Sequence, residues 1–284
     1  MTDETAAWFA GLDPEDEAGA AAAVTEGSAD HTADWPALAV EAGFADDADD
    51  YYERLHAATT RATREAVRER ERADDQQLVH AVRAMADCER TANELAERVA
   101  EWGGSRYGDD GAGVDYAREV AARGPEDDES DRALRSLAER TLDLAEEAAA
   151  LRATIERTAP AVAPNLSALA GPVLAARLLS LAGSLESLAK QPSGTVQVLG
   201  AEDALFAHLQ GNAPSPKHGV IYTHEYVSGT RPEERGSAAR ALAGKLAIAS
   251  RIDHYSGDRR PDLERELDER IERIRTRSQG GDGQ

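Results

Sequence analysis

The sequence predicts a mainly α-helical protein: an antiparallel coiled-coil helical hairpin followed by a mostly helical domain with minor short β pieces. Three observations carry this. The first part of the chain is alanine-rich and acidic, with few aromatic residues. Two apolar stripes within it alternate spacings of three and four residues. From Pro160 onward the chain turns more apolar and is punctuated by proline and glycine.

Taken in order, Trp8, Phe9 and Leu12 form a small apolar cluster, and a short helix follows Asp13–Pro14. Residues 27–34 read as a loop, and 35–44 as a second short helix. The aspartate run at 46–50 caps a longer helix from Tyr51 to about Arg72, interrupted near Asp74–Asp75.

The first stripe is Leu78, Ala81, Met85, Cys88, Ala92, Leu95, Val99 and Trp102. The second is Leu134, Leu137, Thr141, Leu144, Ala148, Leu151 and Ile155. Alternation of three and four averages 3.5 residues, the period of a left-handed coiled coil. The glycine-containing segment 103–113 and the acidic stretch 124–131 read as the connection that folds one helix back on the other. With alanine at many seam positions, little apolar area is buried at roughly 25 cal/mol per Å². The sequence therefore predicts that a second copy covers the hairpin, with Leu78, Met85, Leu95, Val99, Leu137, Leu144, Leu151 and Ile155 as the self-association residues. Packing within one chain is the alternative.

Beyond Pro160, the prolines at 160, 164 and 172 read as helix starts. Ser184 reads as the N-cap of a helix through Leu188, and 192–194 as a turn. Thr195–Val198 and Val220–Tyr222 are the expected β pieces. Between them, 200–209 reads as a short helix with Ala204, Leu205 and Leu209 inward, followed by a Pro/Ser/Gly-rich loop at 211–216. A strong helix is expected over 232–250 and a polar one over 261–277, with a disordered tail from Ser278. The expected division is 1–73, 74–160, 161–257 and 258–284.

Formal charge totals −22, and its distribution is uneven. Residues 1–164 carry 17 Lys/Arg against 39 Asp/Glu, whereas 165–257 carry 8 against 7. Only three of the 32 basic residues are lysine. This composition points to adaptation to molar salt, where a Debye length of roughly 3 Å screens self-repulsion. No apolar run reaches membrane-span length and the start, MTDETAAW, lacks a signal-peptide layout, so a cytoplasmic location is expected.

Catalytic signatures are absent from the sequence. Cys88 is the only cysteine, which excludes an intrachain disulfide and a multi-thiolate metal site. The seven histidines show no ligand spacing, and no metal site or cofactor is expected. Gly211 to Lys217 resembles a phosphate loop only superficially, because Pro216 replaces the second glycine and His218 the Ser/Thr. No GxGxxG or GxSxG turn occurs. The near-neutral block on an acidic body points instead to an anionic partner. Lys217, His218, Arg235, Arg240 and Lys245 can contact phosphates, as can backbone amides at 200 and 211–219. Tyr222 and His224 can stack on unpaired bases.

The segments APNLSALAGPVLAARLLSLAGSLESLAKQPSGTVQVLGAEDALFAHL, PSPKHGVIYTHEYV and RGSAARALAGKLAIASRID closely resemble the Nop domain of the archaeal core proteins of box C/D small ribonucleoproteins. Upstream, LVHAVRAMADCERTANELAERVAEW and RALRSLAERTLDLAEEAAALRATIERTAPAVAPN resemble that family's coiled coil, so the likeness covers about residues 74–257. It implies a non-catalytic scaffold. The coiled coil would self-associate, giving a homodimer. The Nop domain would bind kink-turn guide RNA jointly with a kink-turn-binding ribosomal-type protein. The N-terminal region would hold fibrillarin, the S-adenosylmethionine-dependent ribose 2′-O-methyltransferase.

The RNA-binding residues implied by motif and chemistry together are Glu202, Leu205, Phe206, Lys217, His218, Tyr222, Thr223, His224, Arg235, Arg240 and Lys245. Two features depart from the family. Its basic residues in the GAEK–ALFR helix are here Asp203 and Ala207, leaving Leu205 and Phe206 as an apolar wedge. The N-terminal region is short, with a recognisable helical portion around 35–60. A helical dimer that binds only protein is the alternative reading.

Overall fold

The computed structural model describes residues 7–28, 31–124 and 128–277, and the tail expected to be disordered lies outside them. The chain divides after Ala73 into two compact units.

In the first unit, α1 (Glu17–Glu26), α2 (Trp35–Glu41) and α3 (Ala48–Arg72) are each opened by an aspartate: Asp16, Asp34 and Asp47. Each carboxylate accepts an orphan N–H of the first turn, the arrangement that makes aspartate a strong N-cap. The Asp47 carboxylate takes the Asp50 N–H at 2.8 Å, which starts α3 three residues before the expected Tyr51. Beneath them Phe9 and Phe44 stack with centroids 5.3 Å apart, beside Trp8 and Tyr51.

The second unit begins with α4 (Asp74–Tyr107), α5 (Gly113–Ala122) and α6 (Glu129–Val162). Arg106 pairs with Asp128, and Arg152 with Glu89 at 2.9 Å, so α4 and α6 run antiparallel as expected. The seam follows the stripes at alternate positions, with Leu78, Met85, Ala92 and Val99 buried on α4 and Leu134, Thr141, Ala148 and Ile155 on α6, and shifts by one residue between them. Val82, Ala96 and Gly103 are buried on α4 where Ala81, Leu95 and Trp102 were expected. On α6, Ala138 and Ala159 are buried, while Leu137, Leu144 and Leu151 are half-buried flanks. At the shifted positions smaller side chains fill the contact, and Leu95, Leu137, Leu144 and Leu151 lie beside it. Leu78, Met85, Val99 and Ile155 are at most 2% exposed inside this chain's own core. As folded, none of those four can face a second copy.

Helix α5 lies between the two segments expected to form the connection, with glycines before it. Those glycines make room for Tyr116: a Cβ at Gly103 or Gly111 would overlap its ring. The Tyr116 hydroxyl donates to Asp109, and burial first, then that bond, pushes its pKa up to about 12.

The remaining helices wrap one another. They are α7 (Pro164–Ala170), α8 (Pro172–Ala182), α9 (Leu185–Lys190), α10 (Ser193–Val198), α11 (Glu202–Leu209), α12 (Glu225–Ser228), α13 (Arg235–Tyr255) and α14 (Asp262–Arg277). Pro164 and Pro172 start helices, as expected, but Pro160 lies within α6. Ser184 caps α9 by accepting the Ser187 N–H. Helix α13 starts after a turn at 232–234 and runs five residues past Ser250. Its Leu242, Leu246, Ala239 and Ala249 form the floor of the core, and α14 closes one side with Leu267, Ile271 and Ile274. No single helix among the described residues is long and apolar enough to cross a membrane.

The described residues contain no strand. Thr195–Val198 belongs to α10, and Val220–Thr223 is a single 3₁₀ turn. Four-residue apolar runs do not distinguish strand from buried helix. The two segments are nonetheless joined by backbone bonds, Gly219 N–H to Gln197 O at 2.9 Å and Val220 N–H to Leu199 O at 2.7 Å. Gly219 is required there, since a Cβ would collide with the Leu199 carbonyl.

Candidate nucleic-acid interface

A groove of about 530 Å³ runs between α10, α11, the 211–219 loop and the start of α13. Thr195, Gln197, Leu205, Ser215, Lys217 and Arg240 line it, with Gly236 at its base. Helix α13 brings Arg240 one turn beyond Gly236, and the loop lays the Lys217 stem over that glycine. The Gln197 side-chain amide donates to the Lys217 carbonyl at 2.7 Å, fixing the loop to α10. Lys217 and Arg240 are exposed and form no ion pair among the described residues. They are the cations here that remain available to an anion.

Beside the groove, His218 stacks on Tyr222 with ring centroids 4.6 Å apart and planes 24° from parallel. The Arg235 guanidinium lies 5.4 Å from the Tyr222 centroid on the same cluster. Burial lowers the His218 pKa, and the nearby Arg235 and Lys217 charges lower it further, so the ring is neutral at pH 7. Tyr222 is 38% exposed and presents part of its ring to solvent.

Five sequence expectations meet internal partners in the structure. His224 has both ring nitrogens engaged. Its Nδ1 accepts the Tyr226 N–H at 3.1 Å, which leaves Nε2 to donate to the Leu169 carbonyl at 3.0 Å. It caps α12 and ties it to α7. Arg235 is spent on the carbonyls of Thr230 and Ser228, and Lys245 on Glu266. Thr223 donates its hydroxyl to the Val220 carbonyl at 2.9 Å. The amides of Gly200, Gly211, Asn212 and Gly219 are bonded to Glu202, His208, Ala207 and Gln197. Sequence cannot show these engagements, because each partner lies at a turn or on another element.

Helix α11 also departs from expectation. None of its residues is buried, and Ala204 faces solvent. Phe206 is 63% and Leu209 75% exposed, with Leu205 alone of the three leaning on the groove wall. Glu202 closes its N-terminus by accepting the Gly200 N–H at 2.7 Å. The residues missed by sequence reasoning are Thr195, Gln197 and Ser215. The signal for them was weak: Thr195 and Gln197 are uncharged polar side chains on a segment read as a strand, and Ser215 sits in a segment read as a Pro/Ser/Gly-rich loop.

Residues 112–276 match the family model Nop, described as "snoRNA binding domain, fibrillarin". A NOP5 family protein of Methanocaldococcus jannaschii is 32% identical over 271 residues, 83% of this chain and 66% of that one. Nucleolar protein 58 of Schizosaccharomyces pombe is 34% identical over 220 residues, 64% of this chain and 43% of its own. Nucleolar protein 56 of Saccharomyces cerevisiae is 52% identical over 95 residues, 34% of this chain and 19% of its own. The chain thus spans two thirds or less of the length of these curated relatives. A chain from the crystal structure of a fibrillarin/Nop5p complex is similar in fold, with a TM-score of 0.53, 25% identity, and coverage of 95% of this chain and 99% of that one. The matched region holds every residue that lines the groove, and the chain belongs to the Nop family.

Proposed function

We propose that this chain is the RNA-binding scaffold of a box C/D guide ribonucleoprotein. It receives kink-turn RNA together with a kink-turn-binding ribosomal-type protein, and it positions fibrillarin for 2′-O-methylation of ribosomal and transfer RNA. The chemistry and the S-adenosylmethionine belong to fibrillarin; this chain contributes placement. The observation that carries the reading is the groove between α10 and α13, where Lys217 and Arg240 stand unengaged within the family-matched region of a chain with a net charge of −22. In so acidic a protein, two uncommitted cations converging on one groove favour an anionic ligand. The stacked His218–Tyr222 pair and exposed Phe206 supply flat apolar faces for bases.

The composition fits an archaeal protein working in molar salt, where counterion release contributes little and stacking and shape contribute more. Self-association through the α4–α6 hairpin would use its flanks, Leu95, Leu144 and Trp102, in place of the buried seam.

The test is a gel shift with box C/D RNA in molar KCl, with and without the kink-turn-binding protein. A supershift that requires that protein supports joint recognition, and a further shift with fibrillarin supports the positioning role. No shift at any salt from a folded protein overturns the reading in favour of a protein-only interaction module.

A further inference from the structure

A second groove, of about 510 Å³, lies between α13 and α14 and is lined by Arg240, Gly244, Ile248, Glu269, Arg270 and Arg273, beside Lys245 and Glu266. Arg240 lines both this groove and the one beside Lys217, so the two meet at that side chain. Of the groove's acids, Glu266 is neutralised by Lys245. That leaves Arg240, Arg270 and Arg273 facing Glu269. Arg270 is exposed and forms no ion pair among the described residues. Arg273 donates Nε to the Glu269 carbonyl, a bond that orients its guanidinium and neutralises nothing. Net positive charge is thus concentrated in a groove of a strongly acidic chain.

The floor adds a second observation. Gly236, Arg240, Gly244 and Ile248 are spaced by four residues and share one face of α13. A Cβ at Gly244 would meet nothing within 4 Å, so no neighbour in this chain requires glycine there. Glycine is a poor helix former, and its absent side chain leaves the α13 backbone open to close approach from outside.

We propose that this groove carries the continuation of the phosphate backbone bound at Lys217 and Arg240, with Arg270 and Arg273 as phosphate contacts and Gly244 as the point of closest approach. The inference rests on the RNA-binding reading above and extends it from one contact site to a track across α13 onto α14.

The test uses the full chain with the kink-turn-binding protein and two RNAs. One ends at the kink-turn; the other carries a further helical turn of flanking duplex. Arg270→Ala/Arg273→Ala is expected to lower affinity for the extended RNA about tenfold and to reduce the slope of log K against log salt by about 1.4–1.8, while leaving the short RNA unaffected. Arg270→Lys/Arg273→Lys should restore most of the slope. Gly244→Leu, filling the groove floor, should reproduce the loss with an unchanged melting temperature.

Equal affinity of wild type and the double alanine variant for both RNAs overturns the track. So does equal loss on both. A loss whose size follows the concentration of the kink-turn-binding protein, with an unchanged salt slope, assigns the groove to protein and also overturns it. Failure of the wild type to bind either RNA rejects the parent reading instead.

Discussion

The His218 imidazole lies nearly flat on the Tyr222 ring, 4.6 Å between centroids. This contact holds the 211–219 loop against the 3₁₀ turn, and it fixes where Lys217, the preceding residue, enters the groove. A neutral, desolvated imidazole is part of that geometry.

The stack gives a pH dependence with a definite sign. Burial lowers the pKa of both His218 and His224 below the usual 6.5. Between the lowered folded values and 6.5 the unfolded chain binds more protons, so stability rises with pH across that window. It is fully present above 6.5 and is lost as pH falls through the folded values. A melting series at constant salt from pH 7.5 to 5 should show a decline that His218→Phe makes shallower. An identical pH profile in that variant would remove His218 from the account.

The cations divide into two groups by their partners. Lys217→Ala and Arg240→Ala should each weaken RNA binding and lower the salt slope by about 0.7–0.9. On an RNA that ends at the kink-turn, Lys245→Ala should leave binding intact and cost at most about 1 kcal/mol of stability, since it breaks one partly exposed ion pair. Gel shifts across a KCl series separate the two classes.

Asp253 joins two distant parts of the second unit. Its buried carboxylate accepts the Asn165 N–H at 3.0 Å, the Asn165 side-chain amide at 2.6 Å and the Leu166 N–H at 2.8 Å. Removing it leaves three donors buried at the start of α7. Asp253→Ala should destabilise by about 3 kcal/mol or more, read as a lower denaturant midpoint with unchanged m.

Gly103 holds α5 in place by being small. Gly103→Ala drives a methyl group into the Tyr116 ring and should cost about 1–3 kcal/mol. Hydrogen exchange should show faster opening at α5 and the adjoining ends of α4 and α6, with the α13 core unchanged.

The α4–α6 hairpin places its leucines on the flanks. On the proposed self-association through these flanks, Leu95→Glu/Leu144→Glu should shift sedimentation from dimer to monomer with little change in melting, and a wild type that sediments as a monomer overturns it. Ala96→Leu should instead disrupt the hairpin itself, because Ala96 has no exposed surface and a larger side chain there overpacks the interior.

Much of this architecture was legible locally. The three-and-four spacing gave two antiparallel helices, the aspartate run at 46–50 and Ser184 gave the caps of α3 and α9, and the prolines at 164 and 172 gave helix starts. These signals act within one or two turns, so sequence alone suffices. The motifs carried the family, and the family-matched region carries the groove.

What only the tertiary structure decided depends on residues far apart in the chain. Lys245 finds Glu266, His224 finds the Leu169 carbonyl, and Arg235 turns back onto Thr230, so three expected phosphate or base contacts became internal ones. Lys217 and Arg240 remained available because no acidic side chain among the described residues pairs with them. Part of the hairpin seam shifted from a leucine to the smaller residue beside it for a similar reason. A periodic pattern states which face is apolar, but only the partner helix, by how closely it can approach, selects the side chains that meet.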